Sequence, residues 1–157
     1  MENDHSEFRI PNSELNEAPC FSLSEAATES LGETLGRGIN APAVLALCGE
    51  LGAGKTAFTR GLARGLDVSE RVTSPTFALV HEYAGRLPLF HFDLYRLTGP
   101  DDLFDIGWED YLARDGVIVV EWSERAGDAL PRDATVITIA RTENPDERII
   151  SYDHSSL

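Results

Sequence analysis

The segment Gly49-Glu50-Leu51-Gly52-Ala53-Gly54-Lys55-Thr56 fits the pattern G-x-x-x-x-G-K-[ST] at every specified position. Glycines let a backbone wrap a phosphate chain without a Cβ in the way. The loop N–H groups and the N-terminus of the following helix present partial positive charge to that chain. Lys55 is placed to reach β- and γ-phosphates, and the Thr56 hydroxyl to sit on a magnesium ion. This spacing supports binding of a nucleoside triphosphate together with Mg²⁺. The bland alternative is a Gly-rich turn joining a strand to a helix. The flanks favour the chemical reading: Ala43 to Cys48 is an apolar run suited to a buried strand, and 56–66 read as a helix.

Phosphate chemistry needs acids near that loop, and two strand-like runs end in one. Leu87 to Asp93 closes on Asp93, and Val117 to Glu121 closes on Glu121. In an open α/β sheet both would face the crevice at the carboxyl ends of the strands. A metal ligand or a water-orienting carboxylate belongs there. Either could instead be a surface acid. Four apolar residues followed by an acid make a Walker B pattern, which favours Glu121. Val72-Thr73-Ser74-Pro75-Thr76-Phe77 sets three hydroxyls around a proline. It reads either as a switch-like loop at the γ-phosphate or as a plain connection.

The elements that must position these groups follow in order. Phe21-Ser22-Leu23 suits a short edge strand, and Ser24 is a good N-cap for a helix to about Gly38, with Ala27, Leu31 and Leu35 on one face. Segments 77–83 and 87–93 flank an Ala84-Gly85-Arg86 turn and read as a hairpin. Pro100 opens a short helix with acids in its first turn, and 109–114 add a turn or two more. Val117 to Val120 suits a central parallel strand. Segments 134–140 and 147–152 read as an antiparallel edge ribbon. The expected fold is α/β and P-loop NTPase-like: a mainly parallel sheet flanked by helices, with a hairpin and an edge ribbon. Residues 1–19 read as a disordered acidic leader and 20–157 as one domain.

Composition narrows the partners. The 157 residues carry 13 Lys and Arg against 27 Asp and Glu, a formal charge of −14. That argues against broad phosphate-led contact with a nucleic acid and suggests solubility or a partner with a basic face. Cys20 and Cys48 have no metal or disulfide spacing and read as near-core thiols of a reducing, cytoplasmic compartment. No run approaches the ~18 apolar residues of a membrane helix.

Taken together, residues 49–56, Val-Thr-Ser-Pro-Thr-Phe (72–77), His-Phe-Asp-Leu-Tyr-Arg-Leu (91–97) and Val-Glu-Trp-Ser-Glu-Arg (120–125) resemble the TsaE family. That family is the ATPase component of the bacterial machinery making N6-threonylcarbamoyladenosine on tRNA. The resemblance covers about residues 21–152. It implies phosphate binding by Gly49, Glu50, Leu51, Gly52, Ala53, Gly54, Lys55, Thr56 and Ala57, with Mg²⁺ on Thr56 and Glu121. Trp122 would lie near the nucleotide, Asp93 is a candidate for orienting the attacking water, with the choice between Asp93 and Glu121 open, and Thr73 and Ser74 would form the switch-like loop. Thr28 matches a threonine near the base. The implied partners are TsaD and TsaB, with ATP and ADP as ligands, tRNA met indirectly through the complex, and no membrane. The segment departs from the family at Ser123, where proline is usual; no ligand is lost by it.

Other motif residues have plain readings: His91 as a strand-end hydrogen-bond partner, Tyr95 and Phe77 as core or interface packing, Arg96 in an ion pair, Trp122 as a core aromatic. A small-molecule kinase on the same scaffold would need an arginine-bearing lid, and Leu97 to Arg114 offers only Arg114. A nucleotide-gated binding module is the remaining alternative.

Overall fold

Two apolar runs form the centre of a seven-stranded sheet in this computed structural model, which describes residues 18–153. The strands are β1 (Cys20–Ser22), β2 (Ala43–Cys48), β3 (Val80–Tyr83), β4 (Leu89–Asp93), β5 (Val117–Glu121), β6 (Thr135–Arg141) and β7 (Arg148–Asp153). Their order across the sheet is β1-β7-β6-β2-β5-β4-β3. Strands β6, β2, β5 and β4 run parallel, while β7, β1 and β3 join antiparallel. The helices are α1 (Glu25–Gly38), α2 (Lys55–Gly65), α3 (Pro100–Asp105) and α4 (Trp108–Leu112), with a 3-10 segment at Ser123–Ala129.

Strands β2 and β5 are apolar at consecutive positions because both faces of the sheet are covered. Leu45, Leu47, Val117 and Val119 face a core shared with Phe58 and Leu62 of α2. Val44, Ala46, Ile118 and Val120 face a second core holding Phe92, Leu103 and Trp108. The result is a three-layer α/β domain architecture, as the sequence implies.

Three expectations need correction. Strand β3 starts at Val80, not Phe77: Leu79 takes a left-handed φ of 69° and its N–H closes a turn onto Pro75 O. Strand β4 starts at Leu89, with Leu87 and Pro88 before it. The β6–β7 ribbon is not the sheet edge, since β6 pairs with β2 and β1 covers β7. Of the leader, residues 1–17 lie outside the described residues. Among the described residues, no helix is long and apolar enough to cross a membrane.

Helix α2, which carries the phosphate loop's lysine, is held close to α1 by glycines. A Cβ on Gly61 would sit 1.8 Å from Glu29 O, and one on Gly32 2.2 Å from Phe58 O. At the far end Arg86 donates to Gly36 O in the last turn of α1 and to Ile39 O just after it, and reaches Gly65 O of α2. Carbonyls at helix ends lack the full set of intrahelical donors, and from the backbone Gly36 O takes only the cap N–H of Ile39 at 3.3 Å, so one guanidinium ties both helix ends together.

Candidate active site

Strand β2 ends beside the loop 49–54, and the loop feeds α2. Gly52 and Gly54 take φ values of 75° and 111°, conformations that side chains resist, so glycine is required at both positions. The loop borders an open cleft of about 560 Å³ at the carboxyl ends of the parallel strands.

The two acidic strand ends meet there by register. Asp93 of β4 and Glu121 of β5 are Cα partners in a parallel pair, so their side chains leave the same face of the sheet side by side. Both are buried, at 4% and 3% exposure. Thr56 Oγ1 donates to Glu121 Oε1 at 3.0 Å. Asp93 is held by three donors: Ser74 Oγ and Thr76 Oγ1 on Oδ2, and Tyr95 N–H on Oδ1, each at 3.0 Å. Thr56 and Glu121 set a hydroxyl and a carboxylate side by side, groups that could hold a magnesium ion, which takes one or two carboxylates and leaves its other positions to phosphate and water.

Lys55 is the chain's single lysine. Its Nζ donates to Gly49 O at 2.5 Å and Glu50 O at 2.9 Å, and lies 4.3 Å from the centre of the Trp122 ring. Burial pulls its pKa below the usual lysine range; the carboxylates of Glu121, Glu124 and Asp93 and the Cys48 thiol oppose that shift without cancelling it. Trp122 gets into position through a left-handed backbone (φ 56°, ψ 43°) straight after β5, at a cost of roughly 1–2 kcal/mol for a side chain of this size. Its ring also packs against Tyr95 at a tilt of 54°, with centroids 5.0 Å apart.

Against protein families, residues 22–150 match the model described as "Threonylcarbamoyl adenosine biosynthesis protein TsaE". The chain belongs to the TsaE family. The tRNA threonylcarbamoyladenosine biosynthesis protein TsaE of Treponema pallidum (strain Nichols) is 44% identical over 120 residues, 76% of this chain and 89% of that one. The TsaE protein of Bacillus subtilis (strain 168) is 44% identical over 110 residues, covering 69% and 68%. The crystal structure of Bacillus subtilis YdiB has the same fold, with a TM-score of 0.76 and 32% identity over 88% of this chain and 86% of that one.

The TsaE-type motifs converge as their order suggests, with local exceptions. Ala57, Ser74, Asp93, Glu121 and Trp122 all border the cleft. Thr73 does not: its backbone meets Tyr83 Oη and His81 Nδ1 instead, and Thr76 takes the place beside Asp93. Thr28 borders the cleft, but its hydroxyl lies 2.6 Å from Ser22 Oγ, which leaves its methyl facing Gly54. His91 sits mid-strand rather than at a strand end. Its Nε2 is 3.2 Å from Glu121 Oε1 without hydrogen-bond alignment, and both ring nitrogens lack a hydrogen-bond partner. Arg96 stacks on Phe77 at 4.1 Å instead of pairing with an acid, and Phe77 is 82% exposed, outside any core. Trp122 is half-buried, at once core neighbour and cover over Lys55. Ser123 is buried and its Oγ donates to Leu47 O at 3.3 Å, tying the end of β5 to β2 where the family usually has proline.

The cleft also has walls that none of the motifs contains. Ser24, Glu25 and Arg60 come from the α1–α2 side, and Pro145, Asp146 and Arg148 from the β6–β7 turn. Arg60 was accessible to sequence reasoning, one helical turn after Thr56. The β6–β7 turn reaches the loop only through sheet pairing, which no local spacing reveals.

Proposed function

We propose that this chain is the Mg²⁺-dependent, ATP-hydrolysing subunit in tRNA threonylcarbamoyladenosine biosynthesis, acting with TsaB and TsaD in the cytoplasm. The observation that carries this reading is the meeting in one cleft of the Lys55 loop, the Thr56–Glu121 pair and the hydroxyl-held Asp93.

The loop amides of Gly52 and Gly54 and the N-terminus of α2 would hold the β- and γ-phosphates. Lys55 would exchange the carbonyls of Gly49 and Glu50 for phosphate oxygens, a move of its flexible stem alone. Bound Mg²⁺ would neutralise charge on those oxygens. Asp93, fixed by its three donors, would orient a water in line with the γ-phosphate. Trp122 and Tyr95 would screen that space from bulk solvent. With the chain at −14, tRNA would be held by the partners. The kinase alternative has less support, because Arg114 is engaged by Glu82 and by the rings of Phe90 and Tyr111, away from the cleft.

The test is ATP hydrolysis by the purified protein, alone and with TsaB and TsaD, beside Lys55→Ala. Weak activity that rises with the partners and vanishes in the variant is expected. Mg²⁺-dependent ATP binding with no turnover in any mixture would overturn the ATPase reading.

A further inference from the structure

The phosphate loop is held by the β6–β7 ribbon. Arg141, the last residue of β6, donates from Nη2 to Leu51 O at 3.0 Å. Arg148, the first residue of β7, donates from Nε to Ala53 O at 2.8 Å, with Nη2 3.5 Å from Gly52 O. Arg148 is itself anchored, its Nη1 donating to Pro145 O at 2.7 Å and Glu147 O at 2.9 Å. The two arginines are direct cross-strand partners in the β6–β7 ladder. Like charges placed opposite each other in this way are destabilising. Here both guanidinium groups are turned onto carbonyls of one loop, which offsets their repulsion.

The direction of these bonds matters to the cleft. In a trans peptide the C=O of one residue and the N–H of the next point opposite ways, and the described chain has no cis bond. Drawing Leu51 O toward Arg141 therefore aims the Gly52 N–H the other way, and drawing Ala53 O toward Arg148 does the same for the Gly54 N–H. Gly52 and Gly54 both border the cleft. A charge-assisted bond to a carbonyl also polarises its peptide and strengthens the N–H as a donor. The Ala53 N–H is taken by Glu50 O at 3.0 Å, so among Gly52, Ala53 and Gly54 the two clamped peptides are the ones whose amides no backbone carbonyl takes.

We propose that Arg141 and Arg148 are positioning residues: a guanidinium clamp that sets the direction and donor strength of the phosphate-binding amides of Gly52 and Gly54. The inference rests on the nucleotide reading above and assigns it two residues that the phosphate-loop motif does not contain. Their hydrogen bonds run to the loop backbone, and Arg148 also borders the cleft.

The test uses the full chain with Arg141→Gln, Arg148→Gln, Arg141→Lys and Arg148→Lys. Amide resonances of Gly52 and Gly54 are followed by NMR in the nucleotide-free protein, and ADP and ATP are then titrated with Mg²⁺. Each Gln variant should shift its own glycine amide and weaken ADP binding about tenfold, as expected for misdirecting one charge-assisted contact. KM for ATP should rise by a similar factor while kcat stays within about threefold, because the amides bind ground and transition states alike. Lys at 141 should restore most of the binding, since one donor suffices there. Lys at 148 should not, lacking the fork that spans Ala53 O and Pro145 O. Unmoved glycine amides, or nucleotide binding within twofold of the parent in both Gln variants, would overturn the clamp. If the parent protein binds neither nucleotide, the nucleotide reading falls, and with it the positioning role; shifted amides would then leave only a structural tie.

Discussion

Thr56 and Glu121, 65 residues apart in the chain, share a hydrogen bond of 3.0 Å across the ends of α2 and β5. The bond brings the hydroxyl of the phosphate-loop motif and the acid of the Walker B-like strand to one point. Glu121→Gln keeps an acceptor for Thr56 and removes the charge. Partner-stimulated turnover should fall about 100-fold, while ATP binding without Mg²⁺ stays within a few-fold of the parent. Calorimetric titration with and without Mg²⁺ separates the two effects. An undiminished gain from Mg²⁺ in the variant would remove Glu121 from the metal site.

Asp93 carries a different prediction because its contacts differ. Its two oxygens take three donors, all from the segments 74–76 and 95. Asp93→Asn should bind ATP normally and lose about 100-fold or more in turnover. Ser74→Ala with Thr76→Val leaves the carboxylate present but loosely aimed, so kcat should drop about tenfold with KM nearly unchanged. Steady-state kinetics in the presence of the partners reads both numbers. Full activity in the double variant would show that the hydroxyl pair is a structural tie only.

The strand-ending acids were legible because short, largely apolar runs bounded by turn residues suit buried strands, and parallel pairing then fixes which ends meet. The switch-like loop was legible as a region but not residue by residue. Thr73, Ser74 and Thr76 are chemically alike, and the turn closed by Leu79 on Pro75 decides which two face Asp93. That turn also makes β3 start at Val80, although Phe77, Ala78 and Leu79 are as strand-like by type as the residues after them. Arg141 and Arg148 were out of reach because their target lies about 90 residues upstream and is backbone, which carries no sequence signal. The glycines at 32, 36, 61 and 65 are spaced at i, i+4 and could have been read as two close-approach faces; their mutual fit is tertiary.

That fit makes Gly61 a sensitive position. Ala is the better helix former by about 1 kcal/mol, so local propensity alone predicts that Gly61→Ala stabilises α2. Packing opposes this: the new Cβ would lie 1.8 Å from Glu29 O, 2.6 Å from Glu29 C and 2.9 Å from Glu29 Cα, all backbone. Helix α1 must back away, so a net loss of about 2 kcal/mol is expected, within the range of overpacked cores. Gly99→Ala is the control, with extended backbone and open space around the new methyl, and should change stability by less than about 0.5 kcal/mol. Chemical denaturation of both decides it; equal midpoints would mean that α1 and α2 are not locked by their glycines.

Lys55, as the single lysine of the chain, allows its environment to be measured by chemistry. Burial disfavours its charged form, so the free amine should appear at lower pH than for an ordinary lysine, while Glu121, Glu124 and Asp93 hold that shift back. The pH profile of amine labelling at Lys55, followed by peptide mass spectrometry, should therefore have its midpoint below 10.5, the ordinary value. Glu121→Gln removes a charge that favours the ammonium, so its midpoint should fall further, not rise. Mg²⁺ with ATP should protect the residue by moving Nζ from Gly49 O and Glu50 O onto phosphate. A midpoint at or above 10.5 would mean that the lysine is better solvated than its place beneath Trp122 requires. Labelling undiminished by ATP would mean that the loop does not hold the triphosphate.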